Sequence, residues 1–230
     1  MIYLIPSFLA PETEETIPLY ILEAVKNCAV IFAENERTAR RFLKSMDRSI
    51  VIDDFEWFTI GKAEEEQINH FKRKIKEEKN IAIISESVCP GVADPGQILV
   101  NIAQQMNVPV KPLVGPSSIL LALMASGLNG QQFSFNGYLP IDHSDRIKKL
   151  KKLEERSITE NCTQIFIETP FRNNKIIETI LQHCKDSTKL CIAADITSKQ
   201  EFIITKTISE WKKNIPDLHK RPAIFLLKGN

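Results

Sequence analysis

The chain has 230 residues, 43% of them hydrophobic and 26% charged, enough for one large domain or two ordinary ones around a sizeable core. Thirty Lys and Arg against 29 Asp and Glu leave a formal net charge of +1, which lacks the basic excess of a dedicated nucleic-acid binder. No apolar run reaches the ~18 residues of a membrane span, and five cysteines without a Cys-x-x-Cys pair suggest neither a disulfide framework nor a metal site.

The opening "MIYLIPSFLAPE" lacks the basic region of a signal peptide, so a cytoplasmic location is expected. In chain order, runs rich in Ile, Val and Phe predict strands at 2–5, 29–33, 50–52, 81–85 and 108–113. Helical periodicity predicts helices over about 17–27, 36–45, 64–78 and 97–106. In the third of these, Ile68, Phe71 and Ile75 recur at three- and four-residue spacing and mark one buried face. The pattern restarts with "GPSSILLALMASG" (115–127), a helix opened by Ser117 or Ser118 and stopped by Gly127. Strands follow at 133–138, 164–168, 189–194, 201–206 and 223–227, with helices over about 145–156, 171–183 and 207–213. "KLCIAADIT" and "EFIITKTI", separated by "SKQ", predict an antiparallel hairpin. Such alternation predicts an α/β fold of two α/β domains, 1–112 and 113–230, with mixed, largely parallel sheets.

One connection is built differently from the others. "SESVCPGVADPG" (85–96) puts two prolines, two glycines and an aspartate just after an apolar strand. Ligands of open α/β sheets bind where strands end at their carboxyl edges. This loop and "VGPSS" (114–118) both lead into helices whose first N–H groups lack internal partners. Gly91 and Gly96 admit close backbone approach, while Pro90 and Pro95 stiffen the loop. Asp94 either caps the helix that starts near Gly96 or accepts hydrogen bonds from a ligand. The sequence holds no G-x-G-x-x-G and no G-x-x-x-x-G-K-[ST], which excludes the usual dinucleotide fingerprint and the P-loop.

Five stretches together resemble a known family. They are residues 84–128, "ISESVCPGVADPGQILVNIAQQMNVPVKPLVGPSSILLALMASGL", then "FSFNGYLP" (133–140), "AENERTARRFL" (33–43), "IFIETPFRNN" (165–174) and "RPAIFLL" (221–227). They are similar to the tetrapyrrole methylases, and within them to the ribosomal small-subunit RNA ribose 2′-O-methyltransferases. The resemblance implies an enzyme that folds S-adenosylmethionine (SAM) into a cleft between two α/β domains, and a homodimer. Cofactor contacts implied for the first half are Pro6, Val88, Cys89, Pro90, Asp94, Gly115 and Ser117. Those implied for the second are Ser118, Phe166, Ile167, Glu168, Pro222, Ala223 and Ile224. Arg37, Arg40 and Arg172 are the candidate substrate contacts, and the resemblance implies a substrate loop near 56–67. The family's glycine in the turn at 88–90 is Val88 here, a β-branched residue that resists positive φ and narrows a pocket. RNA is the implied substrate; a tetrapyrrole, another small anion, or SAM binding without turnover are the alternatives.

Methyl transfer from a sulfonium needs alignment and, for a hydroxyl acceptor, a positioned base, but no metal. Glu34, Asp94 and Glu168 stand near strand ends and are the candidates. Structural alternatives are an Arg37 pair or a helix cap for Glu34, and an Arg172 pair for Glu168. The basic runs 37–44 and 146–156 either contact phosphates or are solvated helix faces. His70 and His183 fall inside predicted helices, and Cys89 reads as a small buried hydrophobe.

Overall fold

Val30–Ala33 and Ile81–Ile84 are apolar at every position, as strands covered on both faces must be, and both are buried along their whole length. They lie inside a five-stranded sheet in a computed structural model that describes residues 1–61, 64–86 and 89–229. The strands are β1 (Ile2–Ile5), β2 (Val30–Ala33), β3 (Glu56–Thr59), β4 (Ile81–Ile84) and β5 (Val110–Pro112). Their order is β3-β2-β4-β1-β5, and every pair is parallel. Four helices supply the crossovers that parallel pairs require: α1 (Tyr20–Lys26), α2 (Glu36–Met46), α3 (Glu64–Lys76) and α4 (Gln97–Gln105). Strand alternation divides the apolar side chains between two layers. Ile31, Ala33, Ala82 and Ile84 pack with α1 and α2, while Val30, Phe32, Ile81 and Ile83 pack with α3 and α4.

One predicted strand moves. Residues 50–52 form no strand; Ile52–Asp54 is a single 3₁₀ turn and the edge strand is β3. Aromatic packing decides this. Phe58 stacks on Phe32 with centroids 4.8 Å apart, and Trp57 Nε1 donates to the Ile52 carbonyl at 3.0 Å. The implied substrate loop at 56–67 therefore begins as β3 and ends in α3. Lys62 and Ala63 lie outside the described residues.

The chain divides into two compact units, Met1–Ser117 and Ser118–Asn230. In the second unit, α5 (Ser118–Ser126) ends at Gly127, whose φ of +67° suits a glycine stop. Then come β6 (Phe133–Tyr138), α6 (His143–Thr159), β7 (Thr163–Ile167), α7 (Asn173–His183), β8 (Lys189–Ala194), β9 (Phe202–Thr207), α8 (Ile208–Trp211) and β10 (Ala223–Lys228). The sheet order is β6-β7-β10-β8-β9. β6 and β7 run parallel and the other pairs antiparallel, including the predicted β8–β9 hairpin. α6 starts earlier than its periodicity suggests because the Asp142 side chain caps it, accepting from Asp145 N at 3.0 Å. Phe166, Phe225, Ile192 and Trp211 form the core, with Trp211 Nε1 donating to the Leu190 carbonyl at 2.8 Å. Among the described residues no helix is long and apolar enough to cross a membrane.

Candidate functional site

Because all five strands of the first sheet are parallel, the segments after β1, β2, β4 and β5 emerge at one edge. Pro6, Glu34, the loop ending at Gly96, and Gly115 all lie there. The loop is built around one carboxylate: Asp94 Oδ1 accepts from Gly91 N at 3.0 Å and Gly96 N at 2.7 Å. Gly91 takes φ +85°, and a Cβ on Gly96 would meet Asp94 Oδ1 at 2.6 Å. Asp94 does not cap α4, whose N-cap is Gly96 without a side-chain bond; its Oδ1 instead braces the loop just ahead of the helix. Cys89 Sγ donates to the Pro116 carbonyl at 3.6 Å, tying this loop to the next, and burial pushes its thiol up. Pro90 is buried and Ser117 half-buried. Val88 lies outside the described residues.

Gly115 is packed directly on Pro6. A Cβ there would stand 2.1 Å from Pro6 Cβ and 2.4 Å from its Cγ, and neither a proline ring nor the backbone can rotate away. Overpacking costs about 1–3 kcal/mol, so Gly115→Ala is expected to fall near 3 kcal/mol in urea unfolding. Adding Pro6→Gly, which removes the opposing ring, should return part of that loss; no recovery would mean that the glycine is needed for another reason.

Glu34 stands beside Asp94. Its Oε2 accepts from Glu86 N at 3.2 Å, and Glu86 Oε1 in turn accepts from Thr38 Oγ1 at 3.1 Å. Burial foremost raises the Glu34 pKa; the Glu86 N–H opposes this, and the charges of Asp94 and Glu86 add to it. Asp94 Oδ2 is buried without a partner. None of Glu34, Glu86 and Asp94 makes an ion pair among the described residues. The structural alternatives for Glu34 are not realised: it does not pair with Arg37, and α2 is capped by Asn35, whose Oδ1 accepts from Arg37 N and Thr38 N.

In the second unit, register brings two distant segments together. Ile224 pairs with Ile167 and Ala223 with Ala194, so the end of β7 adjoins the start of β10. Pro222 is exposed and its carbonyl accepts from Asp195 N at 2.9 Å. Phe166 stacks on Phe225 at 5.7 Å inside the core and offers no side chain at this edge. Glu168 has a fully buried side chain. Its Oε1 accepts from Thr169 N at 2.8 Å, and Arg172 Nη2 lies 2.8 Å from Oε2, an ion pair angled away from a hydrogen bond. Ser118 begins α5.

Two of the predicted substrate arginines are occupied. Arg172 holds Glu168. Arg40 pairs with Glu36 at 2.5 Å and lies 5.0 Å over the Trp57 ring; Arg37 alone is exposed. Arg146, the first residue of the basic helix run, is buried and donates to the Ile141 carbonyl at 2.8 Å, so it is no phosphate contact. Sequence reasoning passed over Asn173, which is buried and donates to the Arg221 carbonyl at 2.6 Å, fixing the chain just before Pro222. Its signal was the stretch 165–174, which contains it without marking a role. Among the described residues no group of His, Cys, Asp and Glu could hold a metal.

Asp94→Ala would leave the N–H groups of Gly91 and Gly96 without their shared acceptor. Each such loss costs about 1–3 kcal/mol where water cannot replace the bond. These groups are half-buried, so a drop of about 2 kcal/mol in unfolding free energy is expected, with Asp94→Asn recovering most of it. An unchanged unfolding midpoint in Asp94→Ala would show that the loop is held otherwise.

The family model described as Tetrapyrrole (Corrin/Porphyrin) Methylases matches residues 10–212. A Buchnera aphidicola (subsp. Schizaphis graminum) protein named Ribosomal RNA small subunit methyltransferase I is 28% identical over 232 residues, covering 99% of this chain and 77% of that protein. The Escherichia coli O157:H7 protein of the same name is 29% identical over 170 residues, 73% of this chain and 58% of its own length. Among solved structures, the methyltransferase CobJ aligns over 99% of this chain and 92% of its own, with a TM-score of 0.63 at 15% identity. A uroporphyrin-III C-methyl transferase from Thermus thermophilus, complexed with S-adenyl homocysteine, aligns over 99% and 96% with a TM-score of 0.55 at 17% identity. These two share the fold.

Proposed function

The chain belongs to the tetrapyrrole (corrin/porphyrin) methylases, and from that premise we propose that it is a SAM-dependent methyltransferase acting on a ribose hydroxyl of small-subunit ribosomal RNA. One observation carries the cofactor assignment: the edge of the first sheet gathers Glu34, Glu86 and Asp94 without a basic partner among the described residues, and leaves Asp94 Oδ2 buried and unpaired. SAM brings an ammonium, a sulfonium and ribose hydroxyl donors, so these residues fit it. The names of the curated relatives support RNA as acceptor.

In the first unit the residues that would hold the cofactor are Pro6, Val88, Cys89, Pro90, Asp94, Gly115 and Ser117. In the second they are Ser118 and the chain at Phe166–Glu168 and Pro222–Ile224. When bound, SAM supplies a methyl carbon activated by its positive sulfur. The loop braced by Asp94 orients that group without having to reorganise, which is where alignment gains its rate. Of the three candidate carboxylates, Glu168 is committed to Arg172 and Thr169, and Asp94 to two glycines. Glu34 accepts one backbone bond, from Glu86 N, and is the carboxylate assigned to take the proton from the acceptor hydroxyl. Homodimerisation and a cytoplasmic setting belong to the same proposal; sedimentation tests the first.

Calorimetric titration with SAM and S-adenosylhomocysteine tests the cofactor, with one site per chain expected. Transfer of a labelled methyl group to small-subunit RNA, recovered as a 2′-O-methyl nucleoside, tests the acceptor. Label recovered in a tetrapyrrole instead would select the small-anion reading. Binding without transfer to either would leave a SAM-binding protein that has lost turnover.

A further inference from the structure

At the site edge of the second sheet, large apolar side chains stand in solvent. Tyr138, the last residue of β6, is 62% exposed; Ile141, in the loop after it, 80%; and Phe171, in the turn after β7, 71%. Tyr138 registers with Ile167 on the neighbouring strand, four residues before Phe171, and neighbouring strands lie ~4.8 Å apart. His219 extends the same rim: its ring meets that of Phe171 edge-on with centroids 6.1 Å apart. Lys220, also exposed, donates its N–H to the Pro170 carbonyl at 3.1 Å and so ties its loop to the turn of Phe171.

The backbone beneath Phe171 and His219 is fixed. Asn173 holds the Arg221 carbonyl, and Asn174 Oδ1 accepts from Leu218 N at 2.8 Å. Exposed rings on a pinned backbone lose little conformational freedom when a ligand covers them. What suits them is a flat π surface with negative charge alongside. The charge of the unit agrees: Ser118–Asn230 carries seventeen Lys and Arg against twelve Asp and Glu, whereas Met1–Ser117 carries thirteen against seventeen. The near-neutral total conceals a basic unit, and that unit carries the rim.

Unpaired bases of RNA present such a surface, since single strands are recognised by stacking on aromatic side chains with cations along the backbone. We propose that Tyr138 and Phe171 are stacking platforms for unpaired bases flanking the acceptor nucleotide, with Lys220 against a phosphate. This inference rests on the RNA reading of the site above. It also names the kind of RNA: a loop or junction whose bases can be splayed out, not a regular duplex.

The test uses the full chain and a single-stranded RNA oligonucleotide carrying 2-aminopurine, with SAM titrated in parallel. Tyr138→Ala and Phe171→Ala are each expected to weaken RNA binding about 5- to 150-fold, the range for loss of one stacked base, and to abolish part of the fluorescence quench. Tyr138→Phe, which keeps the ring, should bind as the native chain does. Lys220→Ala should lower the slope of affinity against salt by about one ion, and the ring variants should not. SAM affinity should stay unchanged in all four. RNA binding that survives loss of both rings would overturn the inference while leaving the proposed function standing. So would ring variants that change the association state rather than RNA affinity, because the rim would then be a surface between copies. A native chain that binds SAM but no RNA would overturn the RNA reading itself, and the stacking platforms with it.

Discussion

Replacing Arg172 with alanine is expected to destabilise the second unit by about 3 kcal/mol. Removing one partner of a buried ion pair costs about 3–5 kcal/mol because it strands the other charge. Here the stranded group is Glu168, whose side chain is fully buried and whose remaining bond is to Thr169 N. Arg172 keeps contact with water, with 27% of its side chain exposed, which places the cost at the low end of that range. The measurement is convenient because each unit has one tryptophan, Trp57 in the first and Trp211 in the second. In a Trp57→Phe background, urea unfolding read by tryptophan fluorescence reports the second unit alone, which matters because a chain of two units need not unfold in one step. Removing both charges in Glu168→Gln/Arg172→Met should restore most of the loss, since neither buried charge is then left unpaired. A loss below ~1 kcal/mol in Arg172→Ala would show that the arginine is not needed to neutralise Glu168. It would then be free for the substrate contact that its motif implies.

That arginine illustrates where the sequence stops being informative. "ETPFR" places Glu168 and Arg172 four residues apart, and an i,i+4 pair was a legible alternative. Arg40 was not legible in the same way. Its partner Trp57 is seventeen positions away, on an edge strand set by aromatic packing rather than by the β-branched Val51 and Ile52. Arg146 looked like the first of six cations on a helix, yet it folds back onto the carbonyls of residues 140 and 141 just before that helix. Fully apolar runs such as "IAII" leave little choice of structure, so the buried strands and the loop after β4 were readable from composition. Charged side chains commit to partners that only the fold supplies. The convergence of Glu34, Glu86 and Asp94 is of that kind, since the first and the last stand 60 positions apart.

The convergence sets up the second large effect. Glu34→Gln is expected to slow methyl transfer about 10²–10⁴-fold at saturating SAM, the usual contribution of a positioned general base. Glutamine keeps the acceptor for Glu86 N but cannot take a proton. The same substitution has an opposite effect on stability. Burial and the neighbouring carboxylates raise the folded pKa of Glu34 above its ordinary value, so the fold favours the protonated form. The stability this confers is fully present below the ordinary carboxylate range and is lost as pH rises through the raised value. Glutamine stays neutral throughout. Glu34→Gln should therefore melt at a higher temperature than the native chain at pH 7–8, and the difference should close as pH falls below ~4. The native rate should rise with pH across that window, and the variant's should not. A slower but more stable variant is the signature of a carboxylate held for chemistry at a cost to the fold. If the variant gains stability at neutral pH yet keeps its rate, the raised pKa is only a consequence of crowding, and the proton leaves the acceptor hydroxyl by another route.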